Sequence, residues 1–119
     1  MVAGRTVLVV DDEPDMRFLL RLTLESAGFA VIEAAHGEAA LEAVSRRRPD
    51  AVVTDRMMPR CDGDELIRRL RADEQTATIP IVMVTATSSP QNGADALLVK
   101  PFDPAELVGL LSGLIERSH

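Results

Sequence analysis

Five short apolar runs alternate along the chain with longer segments in which apolar residues recur at helical spacing. The runs are continuous and rich in Val, Ile and Leu, which is typical of strands buried on both faces of a parallel sheet. The alternation of strands and helices predicts βαβ units, and therefore a doubly wound α/β domain with helices on both faces of the sheet. The second run is less apolar than the others, so we expect its strand at an edge. The predicted strands span residues 7–10, 29–34, 51–54, 79–84 and 96–99.

Turn and capping residues predict where the helices begin and end. The first predicted helix runs from Pro14 to Ala27, with a proline in its first turn and Gly28 as its stop. The second predicted helix runs from Glu38 to Arg46. Two more helix starts are indicated by acidic residues three positions apart, the spacing of a capping box. These pairs are Asp62 with Glu65 and Asp103 with Glu106.

Composition narrows the class of protein. The 119 residues are 46% hydrophobic and 27% charged, so we expect residues 1–119 to form one compact domain. A net charge of -6 argues against nucleic-acid binding by this domain. Cys61 is the only cysteine, which excludes an internal disulfide and favours a reducing compartment. No signal peptide or apolar stretch of membrane-spanning length is present, and we therefore expect a cytoplasmic protein that binds no membrane.

Polar residues follow four of the five predicted strands. In open parallel sheets, ligands bind outside the carboxyl ends of the strands, which all meet at one edge. We therefore expect four separate segments of the chain to converge on one site. The residues at these ends are Asp11 and Asp12 after the first strand, Asp55 after the third, Thr85 after the fourth and Lys100 after the fifth.

The three carboxylates of Asp11, Asp12 and Asp55 predict a metal site. Charges of one sign repel each other strongly when they are partly buried, so such a cluster requires a cation. Oxygen ligands favour Mg²⁺, Ca²⁺ or Mn²⁺ over zinc. The alternative is that Asp11 and Asp12 only cap the first helix, but one aspartate suffices for capping and Asp55 would remain unexplained.

The two other polar residues at this edge suit a site that handles phosphate. Lys100 is the only lysine among the 13 Lys and Arg residues, which indicates that a compact point charge is required at this position. Its ammonium group could pair with Asp55 and, after transfer, with a phosphoryl oxygen. The Thr85 hydroxyl could donate a hydrogen bond to the same group. The alternatives are a surface lysine and a threonine that satisfies local backbone.

Four segments of the sequence resemble those of response-regulator receiver domains, in the same order and across essentially the whole chain. They are Val9-Val10-Asp11-Asp12-Glu13-Pro14, Asp55-Arg56-Met57-Met58-Pro59 with Asp62-Gly63, Val84-Thr85-Ala86, and Lys100-Pro101-Phe102. The resemblance implies a flavodoxin-like five-stranded sheet of order 2-1-3-4-5. It also implies that Asp55 accepts a phosphoryl group from a sensor histidine kinase or a phosphotransfer protein.

The resemblance further assigns roles within the site. Asp12 would ligate Mg²⁺ directly, with Mn²⁺ as a possible substitute, and Asp11 would act mainly through water. The backbone carbonyl of Met57 would complete the metal site beside Asp55. Lys100 would contact the phosphoryl group, and Thr85 would move toward it. The chain would then catalyse only its own phosphoryl transfer and dephosphorylation, and would not be an enzyme that turns over other substrates.

By the same resemblance, the start of the first helix would dock the histidine-bearing helices of the kinase. The expected contact residues are Asp15, Met16, Leu19, Pro101 and Phe102. Met16 and Leu19 could equally belong to the core.

The sequence departs from the family in two places. The segment between Thr85 and Lys100 is short by roughly two helical turns and is rich in loop residues, so we expect the helix between the fourth and fifth strands to be short or absent. Leu97 stands where receivers commonly place an aromatic switch residue. Arg56, beside the acceptor, is expected to be exposed and to tune access to the site.

Other functions remain open at this point. A pseudo-receiver that is never phosphorylated and serves as a protein-interaction module is the main alternative, motivated by the two departures. A flavodoxin-like cofactor binder has less support, because Asp11 and Asp12 would repel phosphate after the first strand and no P-loop is present. A phosphatase has less support, because Asp55-Arg56-Met57-Met58-Pro59 supplies no second acid-base group near the nucleophile. The downstream output domain or partner is not indicated by the sequence.

Overall fold

The five predicted strands form one parallel sheet. The computed structural model describes residues 4–56, 62–86 and 93–118. The strand order is β2-β1-β3-β4-β5, which confirms the expected order and places β2 at an edge. In chain order the elements are β1 (Thr6–Val10), α1 (Pro14–Ser26), β2 (Ala30–Ala34), α2 (Gly37–Arg46), β3 (Ala51–Asp55), α3 (Gly63–Ala72), β4 (Ile81–Thr85), β5 (Ala96–Val99) and α4 (Pro104–Ser118).

The core lies in two layers, one on each face of the sheet. Alternate side chains of a strand point to opposite faces, so β1 sends Val7 and Val9 into one layer and Leu8 and Val10 into the other. The first layer is closed by α1 and α4, and the second by α2 and α3. Because β1, β3 and β4 are buried along their whole length, the carboxyl ends of these strands are rigidly placed.

Two strands begin later than the sequence predicts, for local reasons. The first helix ends in a Schellman motif, in which Gly28 has a φ of 101° and its N–H donates to the Glu25 carbonyl at 3.0 Å. The N–H of Phe29 donates to the Leu24 carbonyl at 3.0 Å, so β2 starts only at Ala30. β4 starts at Ile81, because Pro80 has no N–H for the ladder.

Capping side chains fix the other helix starts. The Asp62 carboxylate accepts from the Glu65 N–H at 2.9 Å, as predicted. At α4, the Asp103 carboxylate accepts from the Ala105 N–H at 2.9 Å, and Glu106 accepts from the Asp103 N–H at 3.3 Å. The sequence analysis missed the cap of α2, where His36 Nδ1 accepts from the Ala39 N–H at 3.1 Å.

The connection between β4 and β5 spans residues 86–95. The loop expected there falls mostly on residues 87–92, which lie outside the described residues, and the described residues of this connection are not helical. Arg71 of α3 holds its far end, since its Nε donates to the Gly93 carbonyl at 3.0 Å and its Nη2 to Asp95 at 2.8 Å. The described part of the chain contains no helix long and apolar enough to cross a membrane.

Candidate metal centre

The carboxyl edge of the sheet brings the predicted site residues together. Asp11 directly follows β1, Asp55 ends β3, and Thr85 ends β4. The Lys100 N–H donates to the Thr85 carbonyl at 2.7 Å, so the residue after β5 is tied to the end of β4. Asp55 pairs with Val84 in the ladder, which places the acceptor candidate between the two outer segments.

The three carboxylates form a tight cluster. One oxygen each from Asp11, Asp12 and Asp55 lies within 4.8 Å of the others. Asp11 is 1% exposed and Asp55 is 8% exposed, whereas Asp12 is exposed to solvent. We call this cluster of Asp11, Asp12 and Asp55 the acidic bowl. The carboxylates of Asp11 and Asp55 are buried, and the cluster opens to solvent on the Asp12 side.

Burial raises the pKa of the Asp11 carboxyl above its ordinary value, and the neighbouring charges of Asp55 and Asp12 add to this effect. A hydrogen bond from the Glu13 N–H to Asp11 Oδ1, at 2.9 Å, opposes it. A raised carboxyl pKa means that the ionised form is disfavoured in the folded protein. A divalent cation would relieve this strain, and the donor set of carboxylate oxygens suits Mg²⁺.

The helix-capping alternative for the acidic pair fails. The N-cap residue of α1 is Glu13, whose side chain makes no capping hydrogen bond within the described residues. The Asp11 carboxylate accepts instead from the Glu13 N–H, before the helix begins. Both aspartates are thus left to face the bowl.

Lys100 supplies the positive charge beside Asp55. Its Nζ lies 3.5 Å from Asp55 Oδ2, and the two side chains are 23% and 9% exposed. This distance is longer than that of a good hydrogen bond, so the contact is a charge pairing. Thr85 lies at the same edge and is 3% exposed. Met57, the predicted carbonyl ligand, lies outside the described residues.

Four of the five predicted docking residues line one groove beside the bowl. An apolar groove of about 340 Å³ runs between the start of α1 and the segment after β5. Leu19 is 52% exposed, which excludes it from the core, whereas Met16 packs partly against the layer under α1. Asp15 is exposed in the first turn of the helix. The groove is lined by Met16, Leu19, Leu20, Thr23, Lys100, Pro101, Phe102 and Pro104.

Two further residues of the predicted site, Arg56 and Leu97, are each packed against neighbouring elements. Arg56 is not freely exposed: its side chain is 18% exposed, and its Nε lies 3.1 Å from Asp64 Oδ2 on α3. Leu97, at the predicted switch position, is partly buried against the layer under α2 and α3.

Gly63 explains how α3 approaches the acceptor so closely. A Cβ at this position would lie 2.5 Å from the Asp55 carbonyl oxygen and 2.8 Å from Arg56 Cα. The Gly63 N–H donates to the Arg56 carbonyl at 2.9 Å, so glycine allows the helix start to close directly onto the end of β3.

Sequence reasoning also missed a contact behind the acidic pair. Arg17 Nη1 donates to the Asp11 carbonyl at 2.7 Å, and Arg17 Nε donates to Glu33 at 3.2 Å. The only signal available was an arginine one turn into the helix that follows the pair, which many surface helices share.

The strand order and the polar carboxyl edge are those of CheY-like receiver domains. The sequence model of the family described as response regulator receiver domain matches residues 7–112, and the chain belongs to this family.

Among curated proteins, the phosphate regulon transcriptional regulatory protein PhoB of Pseudomonas aeruginosa is 40% identical over 98% of this chain and 54% of PhoB. The alkaline phosphatase synthesis transcriptional regulatory protein PhoP of Bacillus subtilis is 37% identical over 98% of this chain and 50% of PhoP. The chain spans about half the length of the curated relatives it matches.

A solved receiver domain of a sensor histidine kinase from Pseudomonas aeruginosa has a magnesium ion coordinated in its active-site cleft. It superposes with a TM-score of 0.90 at 33% identity, and the match covers 96% of this chain and 99% of that one.

Proposed function

We propose that this receiver domain accepts a phosphoryl group on Asp55 in a Mg²⁺-dependent reaction and changes conformation as a result. The observation that carries the proposal is the acidic bowl, in which the nearly buried Asp55 shares one edge with two further carboxylates and the only lysine. The family membership and the magnesium-containing neighbour support the same conclusion.

The chemistry asked of the protein is positioning and charge neutralisation. One Asp55 oxygen attacks the phosphorus of a phosphohistidine, the phosphorus–nitrogen bond breaks, and the electron pair returns to the imidazole of the donor. Lys100, 3.5 Å from Asp55 Oδ2, offsets the negative charge that the transferred group brings. Phosphoryl transfer needs this kind of electrostatic support more than covalent assistance.

The metal would be held by the three clustered carboxylates and one backbone carbonyl. Asp12 and Asp55 would ligate Mg²⁺ directly, Asp11 would act through water, and the Met57 carbonyl would complete the set, with Mn²⁺ as a substitute. When bound, Mg²⁺ would neutralise charge on the phosphoryl oxygens. The exposure of Asp12 gives a cation access from solvent.

Phosphorylation would then be read out through Thr85. Its position at the end of β4, next to Lys100, allows the hydroxyl to approach a phosphoryl oxygen on Asp55. Such a movement is a local electrostatic event that biases a two-state element.

The phosphodonor would be a sensor histidine kinase or a phosphotransfer protein. The apolar groove beside the bowl, lined by Met16, Leu19, Pro101 and Phe102, suits the apolar face of a helix that carries the donor histidine. Asp15 lies in the first turn of α1. In this reaction the domain acts only on itself.

The test is intact mass after incubation with acetyl phosphate and Mg²⁺. The parent should gain one phosphoryl group, and Asp55→Asn should gain none. Asp73→Asn is the matched control, because Asp73 is an exposed aspartate at the C-terminal end of α3 and should leave the adduct unchanged. Absence of an adduct on a folded parent, both with acetyl phosphate and with a phosphorylated kinase, would favour the interaction-module alternative.

A further inference from the structure

Arg17 joins three parts of the molecule behind the acidic bowl. Its backbone lies in the second turn of α1, its Nε donates to Glu33 on β2 at 3.2 Å, and its Nη1 donates to the Asp11 carbonyl at 2.7 Å. The side chain is only 19% exposed. An arginine held in this way has little freedom, so its contact with Asp11 is geometrically defined.

The contact completes the backbone hydrogen bonding of Asp11. The Asp11 N–H donates to the Ala34 carbonyl at 3.1 Å, and Asp11 Oδ1 accepts from the Glu13 N–H at 2.9 Å. The Asp11 carbonyl is the other backbone polar group, and Arg17 is its donor. Since Asp11 is 1% exposed, loss of this donor would leave a carbonyl in a place that water reaches poorly.

We propose that Arg17 is a positioning residue for the metal site, which fixes the loop carrying Asp11 and Asp12 so that both carboxylates face the bowl before a cation binds. Residues that orient metal ligands without touching the metal typically change metal affinity when they are altered. This inference rests on the proposed function, because it concerns the Mg²⁺ site assigned there.

The positive charge of Arg17, considered alone, would weaken Mg²⁺ binding. A guanidinium group near the bowl repels Mg²⁺, so its removal would tighten metal binding if Coulomb repulsion were the main effect. The ion pair with Glu33 offsets much of that positive charge. Positioning therefore outweighs repulsion, and the sign of the change in Mg²⁺ affinity separates the two effects.

Arg21 provides a matched control within the same helix. It lies one turn beyond Arg17 and binds the same Glu33, with 2.6 Å between Arg21 Nη1 and Glu33 Oε2. Its other partner is Glu25, at 3.1 Å, and within the described residues it makes no hydrogen bond to the acidic loop. The two arginines share the ion pair with Glu33, and of the two it is Arg17 that donates to the Asp11 carbonyl.

The experiment is calorimetric titration of Mg²⁺ into the parent, Arg17→Met, Arg21→Met and Arg17→Lys, since the chain has no Trp or Tyr to report binding by fluorescence. Arg17→Met should bind Mg²⁺ about 10-fold more weakly than the parent. Arg21→Met should stay within about twofold, because an exposed ion pair contributes little. Arg17→Lys should fall between the parent and Arg17→Met, since an ammonium can reach the carbonyl but lacks the guanidinium fork.

Thermal unfolding without Mg²⁺ distinguishes a purely structural role, which would lower the Tm while leaving the Mg²⁺ Kd unchanged. Equal Kd values for Arg17→Met and Arg21→Met, or tighter binding by Arg17→Met, would overturn the inference. If Arg17→Met does not fold, Arg17→Lys is compared with Arg21→Lys by the same criterion. A folded parent that binds no Mg²⁺ would instead overturn the metal site on which the inference rests.

Discussion

The carboxylates of this protein lie in two contrasting settings, the carboxyl edge of the sheet and the surfaces of the helices. On α3, half-buried Glu65 accepts hydrogen bonds from Arg68 and Arg69, at 2.5 and 2.8 Å, and these arginines lower its pKa to about 2. At the sheet edge, burial and neighbouring carboxylates raise the pKa of Asp11. Several acidic residues of the helices, such as Glu65, Glu25 and Glu42, are thus paired with arginines, whereas one edge of the sheet carries an excess of negative charge.

We infer from this difference that the carboxylates at the sheet edge lower the stability of the fold and provide a site for a cation. A paired surface carboxylate contributes little in either direction. Three carboxylates within 4.8 Å of one another, supported by one lysine, disfavour the folded state unless a cation joins them. A carboxyl group whose pKa is perturbed, as that of Asp11 is, is typical of a functional site.

The largest effect is expected from Asp12, because it is the exposed member of the cluster and a proposed direct ligand. Asp12→Asn should weaken Mg²⁺ binding by at least about 100-fold, the upper end of what changes in the surrounding shell produce. Calorimetric titration measures this directly. Glu65→Gln removes a carboxylate from the other setting and should leave Mg²⁺ affinity unchanged. Similar losses in the two variants would mean that net charge, and not the cluster, attracts the cation.

The next largest effect is expected from replacing a glycine at the sheet edge, compared with a glycine on a helix surface. Gly63→Ala places a methyl group 2.5 Å from the Asp55 carbonyl oxygen, so the start of α3 must move away from β3. We expect a loss of about 1–3 kcal/mol in the free energy of unfolding, as for other overpacked sites. Urea denaturation followed by circular dichroism measures it.

Gly109→Ala is the control on the helix surface. Nothing lies within 4 Å of a Cβ at Gly109, which is exposed within α4. Alanine should stabilise this helix by about 0.5–1 kcal/mol. A destabilisation of similar size at both glycines would contradict the assignment of Gly63 as a close-contact position.

The convergence of the site residues could be predicted because it follows from topology. Parallel strands end at one edge, so polar residues that follow buried strands must meet there. Asp11, Asp55 and Lys100 lie far apart in the sequence, yet the strand pattern alone was enough to predict that they meet at one edge. The capping roles of Asp62 and Asp103 could be predicted because each acts on backbone within three residues.

The remaining contacts depend on packing that no local pattern encodes. Arg17 reaches the Asp11 carbonyl because Glu33, on a neighbouring strand, directs its side chain. Arg56 turns toward Asp64 because Gly63 brings α3 against β3. Each contact joins elements whose relative placement is set by the whole core, so sequence spacing alone does not reveal it.

The third prediction concerns the effect of the buried Asp11 carboxylate on the thermal stability of the protein. Because the pKa of Asp11 is higher in the folded state than its ordinary value of 3.8, the folded state binds more protons between these two values. The free energy of unfolding therefore falls as pH rises through that window, and the penalty is complete above it. Asp11→Asn should raise the Tm at neutral pH without Mg²⁺ and make no difference at pH values below the window.

With added Mg²⁺, the parent should instead have the higher Tm at neutral pH, because a ligand that binds only the folded parent stabilises it. Thermal unfolding at neutral and acidic pH, with and without Mg²⁺, provides the four required measurements. A lower Tm for Asp11→Asn at neutral pH without metal would show that the Glu13 hydrogen bond outweighs burial and repulsion.

The smallest effect is expected from Glu65, where the sign of the pH dependence is opposite. Its folded pKa of about 2 lies below the ordinary value of 4.5, so the ionised form contributes stability above that value and loses it as pH falls toward 2. Glu65→Gln should therefore lower the Tm slightly at neutral pH, and added salt should shrink the difference because the pairs with Arg68 and Arg69 are exposed. The shift itself is measured by following the Glu65 carboxyl carbon by NMR during an acid titration. A midpoint near 4.5 would mean that the two arginines do not hold this carboxylate in solution, and the contrast with the sheet edge would then rest on Asp11 alone.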